Sequence, residues 1–497
     1  MEINNLYNIL FREIEKNRNN TVFEIPDEKK IIYKDFENII NTIYINLKNK
    51  QVEPGDRICA QTSKSIEVIA LYLACLKIGA IYIPLNFDYS IDELKFFIED
   101  SKPKLFILDK KNKYINNDNL KKIIKLTLLE EISSSDCINI KSNIKTNTFN
   151  SNDNDIAAIL YTSGTTGKPK GAALSHKNLS SNCLSLNKIW KFSSNDTLLH
   201  ALPVYHVHGL FVAINCSILS GSKIIFLPKF DTASVLEYIP KSTVMMGVPT
   251  FYNRLIEHKK LNSNLCKNMR VFISGSAPLT IETWNTFFKK TGHKILERYG
   301  MTETGMITSN PYLIEKRKAE SVGWPLPEVK LRISKENLNL KDHLGEIQVK
   351  GPNVFNGYWN KKNKNTDFTK DGFFKTGDIG KIDNEGRVFI VGRQKDLIIT
   401  GGLNVYPKEV EDHLNKINEI KESAVIGLPD KDFGETVVAV VVMEKNKNLT
   451  PKEIQNTILN KLAKFKVPKK FIFISELPRN IMGKIQKNIL RDKYKDI

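Results

Sequence analysis

The chain has 497 residues, too many for one hydrophobic core, so two or more domains are expected. Its 41% hydrophobic content is that of a folded protein, and no apolar run reaches the ~20 residues of a membrane-spanning helix, so no membrane partner is expected. The formal charge of +19 raises nucleic acid as a partner, but lysine and asparagine are spread through loops such as "DKKNKYINNDNLKK" and form no single basic face, which leaves small anions as the expected partners and no nucleic acid.

The N-terminus "MEINNLYNILFREIEKNRNN" is polar and contains acids, so it reads as neither a secretory signal nor a transit peptide, and a cytoplasmic location follows by default. In residues 1–150 helical patterns alternate with short apolar runs. "DRICAQ" and "LFILD" predict buried strands, and "SIEVIALYLACLKIGAIYIPLN" predicts a helix, a break at Gly79 and a strand. That alternation predicts parallel α/β layers. Residues 110–153, rich in Asn, Lys and Ser, read as a variable surface region. Further strands are predicted at "AAILYT", "KIIFLP", "TVMMGVP" and "MRVFISGS", each ending at a turn signal. Residues 330–392 read as a small β-rich segment, with "VKLRIS", "GEIQVKG" and "RVFIVG" as its strands.

The last hundred residues change rhythm. "PKEVEDHLNKI" predicts a helix, "ESAVIGLPD" and "TVVAVVVME" predict strands, and "TPKEIQNTILNKL" predicts a second helix with Thr450 as N-cap and Pro451 in its first turn. The fold class is therefore α/β: a large N-terminal domain of layered α/β subdomains plus a small β-rich segment, and a small α+β C-terminal domain. No internal repeat is visible. The six cysteines, Cys59, Cys75, Cys137, Cys183, Cys216 and Cys266, form no CxxC pair and read as reduced thiols.

The most informative stretch is "YTSGTTGKPKG", 161–171. A strand that runs into a Gly/Ser/Thr loop collects backbone N–H groups at one point, and the hydroxyls and Lys170 add donors, so phosphate is the natural guest. The usual nucleotide-binding signature needs Ser or Thr after Gly-Lys, whereas Pro169 follows Gly167-Lys168 here. A nucleoside triphosphate held by a different device is indicated. Four more segments follow: "YGMTE" at 299–303, "KTGD" at 375–378, "VGRQKDLIITGGLNVYP" at 391–407 and "RNIMGKIQKN" at 479–488. Each alone is weak. Together, in this order and across nearly the whole chain, they resemble the adenylate-forming superfamily of acyl-CoA synthetases, luciferases and peptide-synthetase adenylation domains.

The resemblance implies a mobile C-terminal domain and a division into residues 1–393, an AMP-binding domain, and 394–497. It implies that a carboxylate attacks the α-phosphorus of ATP and that a thiol, that of coenzyme A, then takes the acyl group. Thr162, Ser163, Gly164, Thr165, Thr166, Gly167 and Lys170 should embrace the triphosphate. Glu303 should hold Mg²⁺, with Thr302 facing the α-phosphate. Asp378 should bind the ribose with Arg393 assisting, while Gly275, Ser276, Ala277, Pro278, Tyr299 and Gly300 should line the nucleotide and acyl pocket. Lys484 should bridge the attacking carboxylate and the α-phosphate. Lys395 should be the pivot of the mobile domain, with Gly401 and Gly402 bordering the coenzyme A channel.

Within the superfamily, "LPVYHVHGLFVAINCSILSGSKIIFLPKFD", "VMMGVPTFYNRL" and "FISGSAPLTIETW" resemble the malonyl-CoA synthetases. That resemblance implies malonate as substrate. A second carboxylate needs a cation and hydroxyl donors in its pocket, because burying it alone costs several kcal/mol. Arg254 is the expected guanidinium. His208 and Ser276 are the expected donors, and Val207 and Met306 should flank the α-carbon. His206 reads as an ordinary pocket wall. Position 207 departs from the Thr that malonyl-CoA synthetases often carry, a departure expected to bear on methylmalonate. The rival readings are a synthetase for another short-chain or aryl acid and an adenylation enzyme that loads a carrier protein in trans. Monomer and homodimer both stay open.

Overall fold

The computed structural model describes residues 5–12, 14–134, 146–162, 169–335, 343–361, 366–401, 403–459, 461–480 and 483–497. Its elements follow local signals. The helix Ile66–Ile78 starts where the Ser65 side chain accepts from the Val68 N–H and stops at Gly79, whose φ of 85° suits glycine. Every residue of that helix but Glu67 is buried, which explains its unbroken apolar run. The strand Ile81–Pro84 follows.

Among the described residues the strands form three sheets. In the first, Arg57–Gln61, Ile81–Pro84, Leu105–Leu108, Leu126–Leu128 and Ile156–Thr162 run parallel. Lys170–Ser175 then turns back against Ile156–Thr162, with Thr162 opposite Lys170. The hydroxyl-rich loop therefore joins the two strands of an edge hairpin.

The second sheet holds thirteen strands among the described residues. Thr197–His200, Lys223–Phe226, Val244–Gly247, Val271–Ser274 and Leu296–Met301 pair in parallel. From Gly305–Ser309 onward the pairing is antiparallel. The strands Lys330–Ser334, Gly345–Lys350, Phe374–Ile382 and Val388–Arg393 make up the β-rich region expected at 330–392, and they extend the large sheet instead of standing apart. The switch occurs at the hairpin of Leu296–Met301 with Gly305–Ser309. There the strands come so close that a Cβ at Gly300 would lie 2.1 Å from the Gly305 carbonyl oxygen.

The third sheet, Ile398–Thr400, Leu403–Val405, Ile420–Asp430, Gly434–Met443 and Lys470–Phe473, belongs to the C-terminal part. The helices Pro407–Leu414, Pro451–Leu459 and Lys487–Tyr494 accompany it. Thr450 and Glu453 cap the second helix reciprocally. This part buries its own apolar clusters, one around Val405, Val410 and Val437 and another around Ile426, Val440 and Leu490. It thus has the anatomy of a separate domain.

Candidate active site

The turn of residues 302–304 between Leu296–Met301 and Gly305–Ser309 carries Thr302 and Glu303. Glu303 is buried, and its carboxylate accepts a 2.8 Å hydrogen bond from the Tyr358 hydroxyl. Burial raises its pKa above the ordinary carboxylate range, and that hydrogen bond works against the rise.

Asp378 starts from a backbone fixed by Thr376, whose hydroxyl accepts from the Asp378 N–H at 3.0 Å. Its two oxygens are held separately: the Tyr299 hydroxyl donates at 2.5 Å and Arg393 Nε pairs at 2.8 Å. Coulombic attraction from Asp378 raises the pKa of Arg393.

Lys484 comes from the other domain. Its residue surface is exposed, but its ammonium end lies among Arg393, Asp378, Lys395 and Asp396. Desolvation there, with repulsion from Arg393, lowers its pKa to about 8. The approach is close: a Cβ at Gly483 would lie 2.8 Å from the Thr250 side chain, at the start of the helix Pro249–Glu257.

His208 and Ser276, expected on the acyl side, lie together. His208 opens a π-helix, His208–Ile214, a geometry that recurs at functional sites. Its Nδ1 lies 3.4 Å from the Ser276 hydroxyl, and its buried Nε2 has no partner. Desolvation, then the neighbouring Arg298 charge, hold the His208 pKa well below its ordinary value, so the ring is neutral. Ser276 has φ of 71°, unusual for a residue with a side chain, and it sits beside Gly275. A Cβ at Gly275 would lie 2.4 Å from the guanidinium of Arg298, so the chain there lies directly against that group.

Arg298 was not expected from the sequence. It is buried, and its Nε and Nη2 have no hydrogen-bond partner. Desolvation lowers its pKa to about 9. A buried guanidinium without a carboxylate is costly.

Arg254 is exposed on the last turn of Pro249–Glu257, with its guanidinium 6.0 Å from the centre of the Phe230 ring. That helix turns Tyr252 and Leu255 into the core and leaves the Arg254 side chain open to solvent.

The remaining expected residues divide. Val207 and Met306 are buried in the main core cluster, and Tyr299 is buried with them. Ala277 is half-buried and Pro278 exposed beside Ser276. His206 is half-buried against Tyr205, and burial lowers its pKa to about 4. The Thr162 hydroxyl donates to the Lys170 carbonyl at 3.4 Å, and the Lys170 ammonium lies 5.3 Å from the Tyr358 ring centre. Ser163, Gly164, Thr165, Thr166, Gly167 and Gly402 lie outside the described residues. Lys395 is exposed in the short turn Gln394–Asp396. Gly401, at an exposed hairpin tip with φ of 56°, donates its N–H to the Phe433 carbonyl.

The family comparison bears on the whole arrangement. A family model described as AMP-binding enzyme matches residues 10–359, and one described as AMP-binding enzyme C-terminal domain matches 409–484. The chain belongs to the AMP-binding enzyme family. Its fold is that of a solved family structure, ATP-bound MatB from Rhodopseudomonas palustris, at 44% identity over 99% of both chains, with a TM-score of 0.93. The apo structure of the same protein matches with a TM-score of 0.82. Among curated relatives, a Humulus lupulus protein named "Probable CoA ligase CCL8" is 35% identical over 88% of this chain and 80% of its own. A malonate–CoA ligase of Arabidopsis thaliana is 34% identical over 88% of this chain and 78% of its own.

Proposed function

We propose that this family member is an ATP-dependent malonate–CoA ligase. One malonate carboxylate attacks the α-phosphorus of ATP, the bond to the bridging oxygen breaks, and pyrophosphate leaves. The thiol of coenzyme A, losing its proton to solvent, then attacks the carbonyl carbon of malonyl-AMP. AMP leaves with the bonding pair, and malonyl-CoA forms. The similarity to malonate–CoA ligases and to the ATP-bound fold supports this reading.

The observation that carries the choice of acid is Arg298. Its unpartnered guanidinium, beside the neutral His208 and Ser276, suits a second carboxylate that does not react. Neutral His208 can donate or accept, so it orients that carboxylate without adding charge. Val207 and Met306 supply apolar walls for the α-carbon, and methylmalonate is predicted to be accepted as a second substrate.

The other roles follow from position. Asp378, held by Tyr299 and Arg393, presents its carboxylate to the ribose hydroxyls. Gly275, Ser276, Ala277 and Pro278, with Tyr299 and Gly300, line the nucleotide and acyl space. Thr162, Lys170 and the loop between them hold the β- and γ-phosphates, Thr302 faces the α-phosphate, and Lys484 aligns the carboxylate with it.

Mg²⁺ fits the donor set. Among the described residues no group of three or more His, Cys, Asp or Glu gathers to hold a metal. Glu303 is one hard carboxylate, and phosphate oxygens with water would supply the rest, the arrangement this ion prefers. When bound, it neutralises phosphate charge as pyrophosphate departs.

The domain limits 1–393 and 394–497, the pivot at Lys395, the Gly401–Gly402 border of the coenzyme A channel and a cytoplasmic location complete the reading. No described helix is long and apolar enough to cross a membrane.

The test is a substrate panel of malonate, methylmalonate, butyrate and coumarate, followed by pyrophosphate release and coenzyme A thioester formation. Malonate should exceed butyrate by at least about a hundredfold in kcat/KM, the scale of a buried charge left unpaired. Equal rates on butyrate and malonate would defeat the proposal.

A further inference from the structure

The segment of residues 351–361 crosses from the large sheet to the edge of the six-stranded one. At one end it grips the turn that carries Glu303. The Phe355 N–H donates to the Glu303 carbonyl at 2.9 Å, and the Asn353 side chain donates to the Thr304 carbonyl at 2.8 Å. Asn178 holds the segment from beneath, donating to the carbonyls of Pro352 and Val354 at 2.9 Å each. At the other end the Trp359 N–H donates to the Gly171 carbonyl at 2.7 Å, and Tyr358 pairs with Ala172 as an antiparallel bridge. The segment thus ties the turn bearing Glu303 to the strand bearing Lys170.

Tyr358 stands where the two meet. Its hydroxyl donates to Glu303 Oε1 at 2.8 Å. Its ring centre is 5.3 Å from the Lys170 ammonium and 5.4 Å from that of Lys361, which is itself paired with Asp367 at 2.5 Å. Phe355 fixes the ring edge-on, 4.9 Å between centres. The hydroxyl takes one carboxylate oxygen of Glu303, Oε1.

We propose that Tyr358 is a positioning residue: it sets the Glu303 carboxylate for a divalent cation bound with the triphosphate and registers Lys170 against that cation. The inference rests on the ligase reading and adds a residue to its phosphate site. It acts through Glu303 and Lys170, as outer partners orient metal-binding carboxylates elsewhere.

The test is calorimetric titration of ATP into the full chain, with Mg²⁺ and with a chelator, for the wild type, Tyr358→Phe, Glu303→Gln and the double variant. In the wild type Mg²⁺ should tighten ATP binding. In Tyr358→Phe that gain should shrink by about tenfold, as expected for one lost hydrogen bond to a charged group. Metal-free ATP affinity should stay within about twofold, because the ring is kept. The double variant should bind Mg²⁺–ATP no more weakly than Glu303→Gln alone, since both changes break one contact. An undiminished Mg²⁺ gain in Tyr358→Phe overturns the inference. So does an equal loss with and without metal, which a merely structural tyrosine would give. Should Tyr358→Phe lose structure, Tyr358→Trp, with a ring and no phenol, is read by the same two titrations. A wild type whose ATP binding ignores Mg²⁺ would instead sink the ligase reading, and this inference with it, before any variant is compared.

Discussion

Two cations carry the proposed chemistry, and desolvation lowers the pKa of each. Arg298 is buried without a carboxylate, and Lys484 brings an ammonium to Arg393 and Asp378. Lys484 must be protonated to bridge carboxylate and phosphate. Its pKa is lowered to about 8, so that form is lost as pH rises through that value. The kcat/KM for pyrophosphate release should therefore fall above about pH 8, and Lys484→Ala should cripple adenylation while sparing thioester formation from supplied malonyl-AMP. A profile flat to about pH 10, where ordinary lysine still holds its proton, would contradict this role. Arg254→Ala should leave malonate turnover within about twofold, because its guanidinium is exposed and 6.0 Å from the Phe230 ring centre.

At the scale of elements, the hairpin that carries Glu303 depends on Gly300. Gly300→Ala would force a Cβ to 2.1 Å from the Gly305 oxygen, so the strands must part. A loss of about 2 kcal/mol or more in denaturant unfolding is expected. An unchanged midpoint would contradict it. The strands and helices named from the sequence appear because apolar runs, caps and glycine stops are local signals, as at Ile66–Gly79 and Thr450–Glu453. The nucleotide residues are expected for another reason: five segments in fixed order resemble one family. Helix rotation is not a local signal: which face of Pro249–Glu257 points inward depends on Tyr252 and Leu255 finding the core, and that leaves Arg254 exposed. Arg298 left one readable trace. Glu297 and Arg298 are adjacent charges within a strand flanked by apolar neighbours, and both are buried. Tyr358 left none, because its partners Glu303 and Lys170 are distant in sequence.

At the scale of the whole molecule, two ion pairs flank the proposed pivot at Lys395. Arg393 pairs with Asp378 of the large domain, and Asp396 pairs at 2.7 Å with Arg491 of the last helix. A hinge between them would let each side stay with its own domain. Lys395→Pro, which fixes φ at that point, should preserve pyrophosphate release and depress thioester formation by at least about tenfold. Equal loss of both half-reactions would contradict a hinge there. In the present pose Gly483 lies against Thr250 and Lys484 near Asp378, the arrangement that the proposed adenylation role of Lys484 requires. The central claim is that Arg298 neutralises the carboxylate that does not react. Its most direct measurement is malonyl-CoA formation by Arg298→Met, alongside ATP binding by the same variant. The account predicts a fall in kcat/KM for malonate of at least about a hundredfold with ATP affinity kept. Malonate turnover at the wild-type rate would contradict it.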